Sequence, residues 1–140
     1  MVDYIMFIRD LFLAIILGGI IGFERQKEGK QAGIRTHILV CVGSMLFSYI
    51  AVGAYGITDA ASRIVQGVIT GIGFLGAGTI IISKEKVKGL TTAAGIWVVA
   101  AIGVGISYGY YLIVIITTIS VILVLLFNDY WLLRNIKKSR

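Results

Sequence analysis

Apolar and polar positions alternate along this chain in long blocks. Stretches without a single charged side chain run from Leu11 to Phe23, Ile38 to Thr58, Ile64 to Ser83 and Gly89 to Asn128. A helix crosses the hydrocarbon core of a bilayer with about 20 apolar residues. The second and third stretches are each about one crossing long. The last is about twice that length, so it must turn back once. The pattern predicts an all-α, polytopic transmembrane bundle of about five spans, over residues 5–23, 37–57, 63–83, 90–107 and 110–128. Residues 1–128 form the membrane domain in this reading, and residues 129–140 a basic tail.

Charge placement orients the bundle. Arg25, Lys27, Lys30 and Arg35 lie between the first two spans, and Lys84, Lys86 and Lys88 between the third and fourth. Arg134, Lys137, Lys138 and Arg140 follow the last. Of the 13 basic residues, that leaves Arg9 and Arg63 for the other face. Basic loops stay cytoplasmic, so the N-terminus is expected outside and the C-terminus inside. Tyr108, Tyr110 and Tyr111 then fall in an outer aromatic belt, and Tyr130 and Trp131 in an inner one. The net charge of +6 does not imply nucleic acid, because the cations sit in short connections. Asp3, Arg9 and Asp10 at the start, and Phe23-Glu24-Arg25-Gln26 after the first apolar run, do not fit a cleaved signal peptide. That run is expected to be a retained span.

Composition adds the means of packing. The chain has 18 glycines and no proline, and membrane helices use small residues to bring backbones together. Gly18 and Gly22 suit that use on the first helix and Gly95 on the fourth. Gly67, Gly71 and Gly78 lie within roughly 40° of one another on the third. They make a groove for a neighbouring helix, either within the subunit, the favoured reading, or across a homo-oligomer. Gly71-Ile72-Gly73-Phe74-Leu75-Gly76 matches a dinucleotide-binding pattern, but that pattern has meaning only between a strand and a helix of a soluble βαβ unit. Inside an uncharged span, Gly71, Gly73 and Gly76 read as helix packing. Trp97, in the middle of its helix, also reads as packing.

Polar residues at the membrane edges are the candidate chemistry, since such groups are costly in lipid unless paired or wet. Asp59, Arg63, Gln66 and Thr70 form a stripe descending the third helix. It reads either as a site between helices or as an interfacial arginine that pairs with Asp59 or Asp10. At the basic end, Glu24 and Arg25 close the first helix while Arg35, Thr36 and His37 open the second. A Glu24–Arg35 contact between the helices and a solvated charge run are both open there. Cys41 reads as a small buried hydrophobe. No nucleophile–base constellation converges, and the seven acids are dispersed. Neither an enzyme, a metal site nor a cofactor is expected.

Several segments together resemble the MgtC/SapB family of bacterial inner-membrane proteins. They are Gly22-Phe23-Glu24-Arg25, Ala32-Gly33-Ile34-Arg35-Thr36-His37 with Leu39-Val40, Gly71-Ile72-Gly73-Phe74-Leu75-Gly76-Ala77-Gly78, and Val87-Lys88-Gly89-Leu90-Thr91-Thr92-Ala93-Ala94 with Trp97. The resemblance runs from about residue 10 to 110. It implies five helices with the N-terminus outside, and it marks Glu24, Arg25, Arg35, Thr36, Asp59, Arg63, Thr91 and Thr92 as family positions. Relatives place the acid three residues before the arginine and a glutamine four after; here Asp59 is four before Arg63 and Gln66 three after. The resemblance is to short SapB-type members, so no soluble C-terminal domain is expected after Arg140. The family is linked to growth in low magnesium, survival inside host cells and restraint of the F-type ATP synthase. The expected function is therefore regulatory, through helix contacts with other membrane proteins. The alternative is an oligomeric transporter or channel for an ion or small solute.

Overall fold

The computed structural model describes residues 4–83 and 86–127. Within them the chain forms α1 (Tyr4–Lys27), α2 (Ile34–Tyr55), α3 (Asp59–Ala77), β1 (Ile81–Ile82), β2 (Val87–Lys88), α4 (Leu90–Ser107) and α5 (Tyr111–Leu126). The first four helices are each long and apolar enough to cross a membrane, and α5 is a shorter apolar helix of 16 residues. The protein is thus an all-α, multi-pass membrane bundle. Lys84, the expected inner aromatics Tyr130 and Trp131, and the basic tail lie outside the described residues.

The third helix departs most from expectation. The third helix begins at Asp59 and stops at Ala77, well short of residue 83. Asp59 is a favourable first-turn residue, since its carboxylate faces the positive end of the helix dipole. At the other end the Gly78 N–H donates to the Phe74 carbonyl at 3.0 Å, and the Thr79 hydroxyl to the Gly76 carbonyl at 2.8 Å. This tightened turn redirects the chain into a small antiparallel hairpin, with Ile81 opposite Lys88 and Ile82 opposite Val87. Sequence pattern hid it because Ile80, Ile81 and Ile82 prolong the apolar run. Gly89 then turns the hairpin into α4 with a φ of +92°, and a Cβ there would lie 1.9 Å from the Thr79 carbonyl oxygen. Only glycine fits both constraints.

The core sits among α1, α2 and α4. Ala14, Leu17 and Ile21 of α1 meet Val40, Cys41 and Met45 of α2 and Ile96, Val99, Ile102 and Ile106 of α4. Close approach makes this possible: a Cβ at Gly22 would lie 2.7 Å from the Ile34 Cα, and one at Gly103 2.2 Å from the Cys41 carbonyl oxygen. By contrast α3 buries only Ala61, Ile72 and Gly76, and α5 only Val114 and Thr118. Phe12, Ile16 and Ile20 of α1 and Leu112, Ile116 and Leu123 of α5 all point outward. An apolar exterior of this extent suits lipid as the solvent.

At the end of the bundle away from the basic loops, Asp10 is buried and ties α1 to α5. Arg9 reaches it at 2.9 Å, the Tyr111 hydroxyl donates to it at 3.0 Å, and Arg9 also donates to that hydroxyl. Tyr111 therefore clamps α5 to α1. Tyr108 and Tyr110 stack beside it with ring centroids 6.4 Å apart. Trp97 packs only along one side, in a seam with Val68, Ile69 and Val104, and is half exposed.

Candidate functional site

Two regions gather the residues singled out by sequence. The first is the basic end of the bundle. Glu24 and Arg25 occupy the last turn of α1 and are both turned inward, where they form a bidentate pair with N–O distances of 2.5 and 2.7 Å. Both are at least nine-tenths buried. Such charge-assisted, two-pronged pairing is among the stronger hydrogen-bond geometries. Of the two open readings, the Glu24–Arg35 contact does not form. Residues 35 and 37 differ by about 200° around α2, and it is His37 that faces the core, so Arg35 and Thr36 are exposed. Beyond this pair, Thr92 at the start of α4 is buried while its neighbour Thr91 is exposed.

Sequence reading missed a polar line inside the bundle. His37, Ser44 and Ser48 are fully or almost fully buried on α2. Their spacing of seven and four residues puts them on one face, and that periodicity was the available signal. The His37 Nδ1–H donates to the Gly33 carbonyl at 2.9 Å, whereas Nε2 and both serine hydroxyls have no hydrogen-bond partner among the described residues. Gly95 faces this histidine, since a Cβ there would lie 3.6 Å from Nε2. Among the described residues no group of three His, Cys, Asp or Glu side chains comes together.

The second region is the outward side of α3. A groove of about 520 Å³ runs between α2 and α3, walled by Leu39, Gly43 and Phe47 on one side and Ile64, Gly67, Gly71 and Leu75 on the other. At Gly67, Gly71 and Gly73 an added Cβ would meet nothing within 4 Å. The favoured expectation of packing within the subunit is therefore corrected at Gly67 and Gly71, and the helix-packing reading at Gly73. The reason is rotational: the buried Ile72 is about 180° around the helix from Arg63, so the glycine face is turned partly away from the core. Gly76 does pack on α4, against Ala93 at 3.5 Å, while Gly78 meets only carbonyls of its own turn, those of Leu75 at 3.3 Å and Phe74 at 3.7 Å. Gly18 and Gly22 are tight α1–α2 contacts.

Asp59, Arg63, Gln66 and Thr70 are all exposed. The ion pairs among the described residues are Arg9–Asp10 and Arg25–Glu24, so Arg63 bonds to neither Asp59 nor Asp10. The Thr70 hydroxyl donates to the Gln66 carbonyl at 2.9 Å. Among the described residues, none of the four lines the groove between α2 and α3. The stripe crosses the outer surface of a membrane-spanning helix.

Comparison with known proteins agrees with this architecture. The model of the MgtC family matches residues 11–131. The chain is 47% identical over 128 residues to the Escherichia coli (strain K12) protein named "Putative magnesium transporter YhiD", covering 85% of this chain and 59% of that protein. It is 42% identical to protein SrpB of Synechococcus elongatus, covering 82% of this chain and 70% of that one. With protein MgtC of Brucella abortus it shares 45% identity, over 65% of this chain and 38% of the relative. The matched region thus spans only part of these relatives, 59% of the first. No solved structure matches.

Proposed function

The chain belongs to the MgtC family, and from that premise we propose that it is a regulatory membrane protein of magnesium adaptation that acts by docking other transmembrane helices onto α3. The carrying observation is the open groove beside Gly67 and Gly71. Four-residue spacing of small residues lets two membrane helices cross closely. Exposed Arg63, Gln66 and Thr70 strengthen the case, because polar groups on a span are costly against lipid and are relieved by a partner helix. A second copy of the chain is the first occupant. Larger membrane assemblies, such as the F-type ATP synthase to which the family resemblance points, are the class of further partner. Magnesium enters through the relatives: one is named for magnesium transport. In this reading the protein resides in the bacterial inner membrane with its basic loops in the cytoplasm.

Gly67→Ile with Gly71→Ile puts side chains into the groove at positions where an added Cβ meets nothing within 4 Å. In-membrane crosslinking with mass spectrometry, at high and low magnesium, should show a roughly tenfold loss of dimer and partner adducts, as expected for about 1.4 kcal/mol of lost association. Unchanged adducts in that variant would remove the proposal.

Transport is the second reading, favoured by the same stripe: Arg63, Gln66 and Thr70 become enclosed only when copies assemble. Protein in liposomes should then pass an ion or small solute at a rate that Arg63→Ala alters severalfold. A broad ion panel with no flux excludes it.

A further inference from the structure

A second cavity, of about 470 Å³, opens at the basic end and shares no residue with the α2–α3 groove. Its polar floor is the start of α4. Gly89 caps that helix without a side-chain hydrogen bond. The first backbone N–H of the turn to find a carbonyl is that of Ala93, with Gly89 at 2.8 Å. The N–H groups of Leu90, Thr91 and Thr92 therefore remain without an acceptor among the described residues. An uncapped N-terminus of an 18-residue helix presents convergent donors and roughly half a positive charge.

Side chains independently point to a ligand there. Thr92 is 3% exposed, lines the cavity and has no hydrogen-bond partner for its hydroxyl among the described residues. That hydroxyl is not among the fully enclosed unpaired atoms, so it is open to the cavity, where a ligand can accept from it. Arg25 is likewise 3% exposed and lines the cavity. Its Nε and Nη2 bond Glu24, which leaves Nη1 uncommitted. Lys30 stands at the same cavity, as does Glu28. The wall opposite is apolar, made by Val124, Leu125 and Phe127 around the end of α5.

We propose that this cavity binds a phosphate group, held by the N-terminus of α4, the Thr91 and Thr92 hydroxyls and Arg25. The anion would satisfy the donors that the fold leaves open, as phosphates do at helix N-termini elsewhere. Side-chain charge limits which phosphate fits. Arg25 and Lys30 are balanced by Glu24 and Glu28, so the net attraction comes mainly from the helix end, which suits a singly charged phosphodiester better than a highly charged polyphosphate. The α5 wall supplies an apolar surface beside that headgroup position. A phospholipid therefore matches both halves of the cavity, and a free phosphate matches only the floor.

The test uses the full chain, purified in detergent, stripped of lipid and titrated with dioleoyl phosphatidylglycerol, with diolein or with inorganic phosphate, bound mass being read by native mass spectrometry. Wild type should retain phosphatidylglycerol and not diolein. The Thr91→Val, Thr92→Val double variant should bind it about tenfold more weakly, the effect of losing hydrogen bonds to a charged group. Saturable binding of inorganic phosphate with the same dependence, and no preference for the lipid, would uphold the phosphate site and assign it to a soluble ligand. Should the double variant fail to fold, Lys30→Gln supplies the comparison, with a loss of about threefold expected for one rim charge. Equal binding of phosphatidylglycerol and diolein, indifference to these substitutions, or no binding of any probe would overturn it.

Discussion

Replacing Gly103 by alanine is expected to break the contact between α2 and α4 and to cost about 3 kcal/mol of stability, the upper end of the usual cost of overpacking. The added methyl would lie 2.2 Å from the Cys41 carbonyl oxygen and 3.0 Å from the Met45 nitrogen. Both are backbone atoms of a helix at the centre of the bundle, so neither can rotate aside as a side-chain tip could. The helices must separate, and the packing of Ile102 and Ile106 against α2 loosens with them. Thermal unfolding in detergent, followed by tryptophan fluorescence, should show a lowered midpoint. Gly53→Ala is the matched control: nothing lies within 4 Å of its Cβ position, and alanine in a helix interior is favoured over glycine by roughly 0.5–1 kcal/mol. Equal midpoints for the Gly103→Ala variant and wild type would contradict the α2–α4 geometry.

Glu24→Ala should be comparably damaging, by about 3–5 kcal/mol, for an electrostatic reason. Arg25 is almost wholly buried and its pair with Glu24 is bidentate. Removing the carboxylate leaves a guanidinium with no compensating charge, almost wholly buried and reaching water only through the cavity at the start of α4. Replacing both residues, Glu24→Leu with Arg25→Met, should recover much of the loss, because the buried pair contributes little beyond what well-packed apolar groups of similar size provide. A single Glu24→Ala variant as stable as wild type would show that Arg25 escapes to water. The double variant also separates stability from ligand binding, since it removes Arg25 from the cavity at the start of α4 while retaining a packed α1 terminus.

How legible the molecule was depends on the range of the physics. Leu11 to Phe23 or Ile38 to Thr58 reads as a span because length and missing charge are local properties, and lipid demands them whatever the neighbours do. The short hairpin at Ile81–Ile82 and Val87–Lys88 escaped notice because its apolar residues are equally at home in a helix. Asp10 with Tyr111 could not be foreseen, since about a hundred positions separate them along the chain and only the return of α5 onto α1 joins them.

The glycines show the same division most sharply. Gly22, Gly67, Gly71 and Gly103 look alike in sequence, each a small residue on a membrane helix. In the fold, Gly22 and Gly103 press against neighbouring backbones, whereas Gly67 and Gly71 face open space. Glu24 likewise had Arg25 and Arg35 as possible partners, and helix rotation chose Arg25. Sequence alone determined that this is a multi-pass helical membrane protein, which apolar stretches carry its helices and to which family it belongs, because those follow from local composition and ordered motifs. Tertiary structure decided which small residues are contacts and which remain free to receive a partner, and which cation is buried. Those outcomes depend on how each helix is rotated against the others, and single-helix periodicity does not specify that rotation.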